Sequence, residues 1–223
     1  MTTSPTPSST AASQAQAHTQ VPAQARVPKS RLRWRVIDIV TAAVLGVATG
    51  LIFIVWNSVG YLWFTAMDAV TPGVGGIAVG IWLLGGVLGG LIIRKPGAAL
   101  FVEVLAASVS MLLGSQWSIE TVYSGIAQGL GAELIFALFF YKRFGLGVAM
   151  LAGAGAAVAA WVLELFLSAN IEMGPAFLTI YLVSIVLSGA VLAGVVGWLL
   201  TRALAATGAL NRFAAGRSAK RIG

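Results

Sequence analysis

An all-α integral membrane protein is the fold class this sequence predicts, on three observations. Of the 223 residues, 58% are hydrophobic and only 9% charged, against roughly a quarter charged in an ordinary soluble domain, so there is too little polar surface to coat a water-facing globule. Six apolar runs approach the ~20 residues that a bilayer core of ~30 Å demands of a helix. All 14 Lys and Arg lie at the ends of those runs, on alternate connections, as expected when positive charge is retained in the cytoplasm. The expected architecture is six transmembrane helices with both termini cytoplasmic, a multi-pass protein of the cytoplasmic (inner) membrane.

The elements follow in order. Residues 1–35 read as a disordered cytoplasmic tail ending in a basic segment: the first 25 are Ser, Thr, Ala, Gln and Pro without charge or an apolar core, unable to bury enough surface to offset the entropy of ordering and unlike a secretory signal. Residues 36–202 form the membrane domain. Its spans run from Val36 to Trp56, Val74 to Ile93, Gly97 to Gly114, Val122 to Tyr141, Gly145 to Ser168 and Ala176 to Thr201. Pro72, Pro96 and Pro175 stand just before helix starts, where a missing N–H costs nothing. Residues 203–223 are a basic cytoplasmic tail. The first outer connection, Asn57 to Gly73, is the longest and holds Tyr61, Trp63 and Phe64; it is either a loop whose aromatics anchor at the headgroups or a lid. The outer connections carry only Asp68, Glu120 and Glu172 as charges, so the outer mouth favours cations.

Composition excludes several chemistries. Without cysteine there is no disulfide, thiolate metal site or cysteine nucleophile, and the single histidine, His18, sits in the polar tail; no metal or cofactor is expected. A net charge of +7 does not indicate nucleic acid, because the basic residues only flank apolar runs. No G-x-x-x-x-G-K-[ST], H-E-x-x-H or G-x-S-x-G occurs, so the chain is not expected to hydrolyse ATP or act as an enzyme.

Three carboxylates fall inside the predicted spans beyond their first turn: Glu103, Glu133 and Glu164. An intramembrane charge costs ~2.5 kcal/mol or more unless it is paired, and no Lys or Arg lies within a span, so a cation, a proton or a hydrogen-bonding ligand is the expected partner. Counting the helical rise from the flanking basic residues sets Glu103 and Glu133 at one level, ~12–14 Å from the inner charges, and Glu164 near the outer mouth, ~31 Å from them. Helical spacing aligns Trp161, Glu164 and Ser168, then Glu103, Ala107, Ser110 and Gly114, then Tyr181, Ser184 and Ser188, each on one face. Trp117 and Trp161 lie near carboxylates and suit a flat cationic ring. Small residues Ala42, Gly46 and Gly50 form a stripe on the first helix, fitted either to packing within the chain or to docking another membrane subunit.

Two motifs carry a family resemblance. Arg94-Lys95-Pro96-Gly97-Ala98-Ala99-Leu100, with Glu103 and then Leu113-Gly114-Ser115-Gln116-Trp117, and the run from Gln128 through Glu133 to Ala137 resemble the YkoE family, substrate-binding (S) components of energy-coupling factor (ECF) transporters. The resemblance spans about residues 36–202. It implies a membrane subunit that binds thiamin or its hydroxymethylpyrimidine precursor and works with a transmembrane T component and two ATPase subunits. By the same resemblance, Glu103, Gln116, Trp117, Gln128 and Glu133 are candidate ligand contacts, and Ala42, Gly46 and Gly50 occupy the place where S components dock the T component. A thiamin-like ligand, with a thiazolium and an aminopyrimidine, adds Tyr123, Trp161 and Glu164 to the candidates. The alternative is a stand-alone proton-coupled secondary transporter of a small cationic solute, with Glu103 and Glu133 as its relay.

Overall fold

A computed structural model describes residues 1–2 and 32–219; the expectations for His18, for most of the N-terminal tail and for Lys220 and Arg221 lie outside the described residues. No strand occurs among the described residues. Helix α1 runs from Val36 to Val70. A 3-10 helix, Val74–Leu83, leads directly into α2, Leu84–Ile93. Then follow α3 (Ala98–Leu112), α4 (Glu120–Leu138) and α5 (Leu146–Leu167). A single turn at Asn170–Met173 precedes α6 (Gly174–Ser188), which passes through a π-helical stretch, Gly189–Val195, into α7 (Val196–Ala206). A short α8, Ala214–Ala219, ends the described chain. Five of the passes are long and apolar enough to cross a membrane; α3, with 15 residues, is shorter.

The first outer connection is neither loop nor lid. At 35 residues α1 is ~52 Å long, well beyond the bilayer core, and its part from Asn57 to Val70 is the segment expected to be a connection. Nothing between Asn57 and Val70 breaks a helix: the first breaker pair is Pro72-Gly73, where Gly73 turns the chain at φ +95°. Asp68 closes the turn by accepting from the Gly73 and Gly75 amides at 2.7 and 3.2 Å.

The pass from Val74 to Ile93 is the central one, 83% buried against 28–39% for the other four long passes. Lipid is as apolar as leucine, so close backbone packing rather than escape from water holds such helices together. The stripe on α1 serves this purpose. A Cβ on Gly46 would sit 2.7 Å from the Leu105 side chain, one on Gly50 would meet Val109 and the Ala106 carbonyl at 2.7 and 2.8 Å, and Ala42 is fully buried. The three residues expected to dock a partner are therefore already covered by α3 and its neighbours.

Basic connections gather at one end of the bundle. Lys95 donates to the Arg33 carbonyl (2.7 Å) and to Asp38, Trp34 donates to the Pro96 carbonyl (2.9 Å), and the Arg94 guanidinium lies 4.7 Å from the Phe144 ring centre. The C-terminal segment returns to the same end: Leu210, Phe213 and Ala215 are buried with Ala42, Leu88 and Ile92. Through Ala219 this segment is folded, with apolar residues at turn spacing sealing the helix ends, and is not a free tail.

Asp38, at the start of the first pass and not among the three carboxylates singled out from sequence, does pair with basic residues. It is fully buried and accepts from Lys95 and from the Arg35 backbone and guanidinium at 2.7–3.1 Å. Lys95 belongs to a connection by sequence, yet is only 7% exposed.

Candidate functional site

At the opposite end, α1, the 3-10 helix, α3, α4, α5 and α6 enclose a cavity of ≈ 320 Å³, the size of a small-ligand site. Its walls are aromatic. Tyr61, Phe64, Trp82, Trp117 and Tyr181 all line it, and they brace one another edge to face: Tyr61 with Trp117 at 5.3 Å, Trp82 with Trp117 at 5.6 Å, Phe64 with Tyr181 at 6.2 Å between ring centres. Tyr61 also stacks on Phe64 with ring centres 6.0 Å apart, and together these contacts lock the rings in place. Asn57 fixes Trp82 by accepting its indole N–H at 2.8 Å and donates in turn to Ser110 at 3.1 Å.

Three carboxylates line the cavity and no Lys or Arg does. Glu120 opens α4. Glu164, near the end of α5, accepts the Tyr181 hydroxyl at 2.5 Å. Glu103, only 1% exposed, comes from the middle of α3; one of its oxygens accepts the Gly86 backbone N–H at 2.5 Å. That approach requires glycine, since a Cβ on Gly85 would lie 2.8 Å from the same oxygen. Gln128, with its amide nitrogen facing the acceptors, donates to the other Glu103 oxygen at 3.3 Å and to the Trp82 carbonyl at 3.0 Å. The polar floor is thus satisfied within the protein, as a low-dielectric site demands.

Of the eight ligand candidates from sequence, the structure brings Glu103, Trp117, Gln128 and Glu164 together in this cavity and places the other four elsewhere. Gln116 is exposed on the connection between α3 and α4, and Tyr123 is 49% exposed on the outer face of α4. Trp161 packs into the core and donates to the Leu178 carbonyl at 3.3 Å; one helical turn before Glu164, it reaches α6 rather than the cavity. Glu133 holds the start of α3, accepting from the Gly97, Ala99 and Leu100 amides at 2.7, 2.9 and 3.3 Å and from the Tyr141 hydroxyl at 2.7 Å. Counting residues set Glu103 and Glu133 at one level, but Glu133 extends toward the amides at the first turn of α3 while Glu103 turns to α2. They do not form a relay.

Asn57 and Trp82 are not singled out by the sequence, Glu120 enters only as a charge at the outer mouth, and Tyr61 and Phe64 only as anchors or part of a lid. A signal was present: Phe53, Asn57, Tyr61 and Phe64 recur every three or four residues, the helical period carried past Trp56. Thr121, Ser124 and Gln128 form the matching polar stripe on α4.

The architecture and sequence both have known relatives. The family described as "ABC-type cobalt transport system, permease component" matches residues 37–159. YkoE of Bacillus subtilis strain 168, named an HMP/thiamine permease protein, is 39% identical over 193 residues, covering 84% of this chain and 93% of that protein. A crystal structure titled as an S-component of an ECF transporter superposes with a TM-score of 0.80 at 36% identity, covering 85% of this chain and 95% of that one. With a braced cavity at one end of a bundle of helical passes and this degree of identity over nearly the whole relative, the chain belongs to the YkoE family of ECF transporter S-components.

Proposed function

We propose that the cavity captures thiamin or its hydroxymethylpyrimidine precursor from outside the cell, and that a T component and two ATPase subunits supply the energy for import through the cytoplasmic membrane. The observation that carries this reading is the lining itself: six aromatic rings and three carboxylates with no opposing cation. A flat organic cation satisfies all of it, since its ring packs between aromatic faces, where a desolvated cation–π contact is worth ~2 kcal/mol, and its charge pairs with a carboxylate. A bare metal ion fits less well, because no three of His, Cys, Asp and Glu gather as a metal site among the described residues.

Glu164 is the carboxylate best placed for the cation. It lies on the side of the cavity lined by Tyr181 and Ser168, and the Tyr181 hydroxyl already orients it. Glu103 and Gln128, bonded to backbone, form the floor that meets the hydrogen-bonding ring. Calorimetric titration of the purified protein tests the reading. Thiamin is expected to bind, and Glu164→Gln to weaken it by ~1.5–3 kcal/mol, roughly 10- to 150-fold. If neutral hydroxymethylpyrimidine binds as tightly as thiamin and the substitution changes nothing, the pyrimidine is the ligand and no cation is read at Glu164.

A further inference from the structure

The pass that forms the cavity's back wall is built in two helical forms. Ten consecutive residues, Val74–Leu83, are 3-10 and the next ten, Leu84–Ile93, are α; runs of 3-10 beyond three or four residues are uncommon and often mark a hinge. Side chains from other helices hold the long run open. The Ser188 hydroxyl accepts from the Gly80 amide at 2.9 Å and donates to the Ile77 carbonyl at 2.5 Å, and Trp56 donates to the Ala78 carbonyl at 2.9 Å.

The junction itself is held from the cavity. The α-helical pattern starts at Leu84, so the next bond upstream, from the Gly86 N–H to the Trp82 carbonyl four residues before it, is the one that would extend α2 into the 3-10 run. Both groups are engaged elsewhere: Gly86 donates to Glu103 and the Trp82 carbonyl accepts from Gln128, while Gln128 also donates to Glu103. A carboxylate and an amide are wedged, as a bonded pair, across a helical hydrogen bond, and both belong to the cavity lining.

We propose that the Glu103–Gln128 pair is a latch that keeps Val74–Leu83 in its 3-10 form and opens when a ligand engages it. The inference rests on the cavity being the ligand site. A ligand donor that draws Glu103 or Gln128 toward itself frees the Gly86 N–H and the Trp82 carbonyl to bond each other, and α2 then propagates outward. Because a 3-10 residue rises ~2.0 Å and an α residue 1.5 Å, rewinding all ten residues shortens the pass by ~5 Å. Capture at the outer cavity thereby moves the backbone of the central pass, which extends to the basic end of the bundle.

The chain has no cysteine, so nitroxides can be placed cleanly at Thr71→Cys and Pro96→Cys, both exposed and flanking the pass, and their separation measured by pulsed dipolar spectroscopy in nanodiscs. Two arms separate the latch from the ligand. Without ligand, the near-isosteric Gln128→Met, and independently Ser188→Ala, which lies outside the cavity lining, are expected to shift the distance distribution shorter by up to ~5 Å. If both variants fold and leave the distance unchanged, the latch is refuted whatever the ligand. With thiamin as probe, the parent protein is expected to show the same shortening together with tryptophan quenching. Quenching without shortening overturns the coupling and spares the ligand reading; shortening in the variants with neither response to thiamin supports the latch and sinks the ligand reading.

Discussion

Glu133 is the sharpest place to separate a structural carboxylate from a binding one. Its two oxygens accept two close backbone amides, from Gly97 at 2.7 Å and Ala99 at 2.9 Å, a longer one from Leu100 at 3.3 Å, and the Tyr141 hydroxyl at 2.7 Å. Three of these are charge-assisted bonds of good length, each worth ~1.5–3 kcal/mol where water is excluded. The site is half-buried, so water replaces part of what Glu133→Ala removes, and a net loss of ~2–4 kcal/mol is expected. At 2–4 °C per kcal/mol for a chain of this size, the melting temperature falls by roughly 4–16 °C. Glu133→Gln keeps one acceptor and should fall between the two. Thiamin affinity, measured on the fraction that remains folded, is expected to change less than twofold because Glu133 does not line the cavity. Thermal unfolding in detergent alongside a binding isotherm provides both numbers. An alanine variant that melts like the parent but no longer binds thiamin would refute the assignment and restore Glu133 to the ligand site.

Further outcomes follow from the same contacts. Gly46→Leu drives a branched side chain into Leu105 and is expected to cost ~1–3 kcal/mol in thermal stability through overpacking between α1 and α3, whether or not a T component is present. Asp38→Asn leaves Lys95 buried against a neutral amide; a destabilisation of ~3 kcal/mol or more is expected in the same melt. Tyr181→Phe removes the hydroxyl that orients Glu164 and should weaken thiamin by less than Glu164→Gln does, which isothermal titration resolves. For topology, cysteines at Ser118 and Ala169 should react with impermeant thiol reagents on intact cells and one at Gly97 should not; labelling at Gly97 would reverse the orientation.

The sequence exposed the membrane class directly, together with five passes long enough to cross a membrane and the shorter apolar helix α3, because these depend on composition and on the placement of charge. It also exposed part of the cavity, four of the eight ligand candidates lining it. Glu103 and Glu164 stood out because a carboxylate in a span has to be explained, Trp117 because it neighboured a carboxylate, and Gln128 only through the family motif that contains it. What stayed hidden depended on contacts between helices. Glu133 carried the same signal as Glu103, and only the proximity of the α3 amides distinguishes a cap from a cavity wall. Asp38 and Lys95 are 57 residues apart in sequence, so their pairing had no local signature. The small residues of α1 fitted internal packing and external docking equally, and Leu105 and Val109 on α3 settled which side they face. The continuation of α1 past Trp56 was legible in the period of Phe53, Asn57, Tyr61 and Phe64, but the aromatic richness of that segment suggested a membrane interface instead.

The central claim is that an aromatic cation is captured in the cavity walled by Trp82 and Trp117. Intrinsic tryptophan fluorescence during a thiamin titration tests it most directly, comparing the parent with the Trp82→Phe, Trp117→Phe double variant. These two are the tryptophans that line the cavity, whereas Trp161 packs in the core and Trp34 meets Pro96 at the opposite end. Saturable quenching is expected in the parent, with loss of most of that quenching in the variant. Full quenching that persists in the variant, or a parent that shows no saturable response while properly folded, would contradict it.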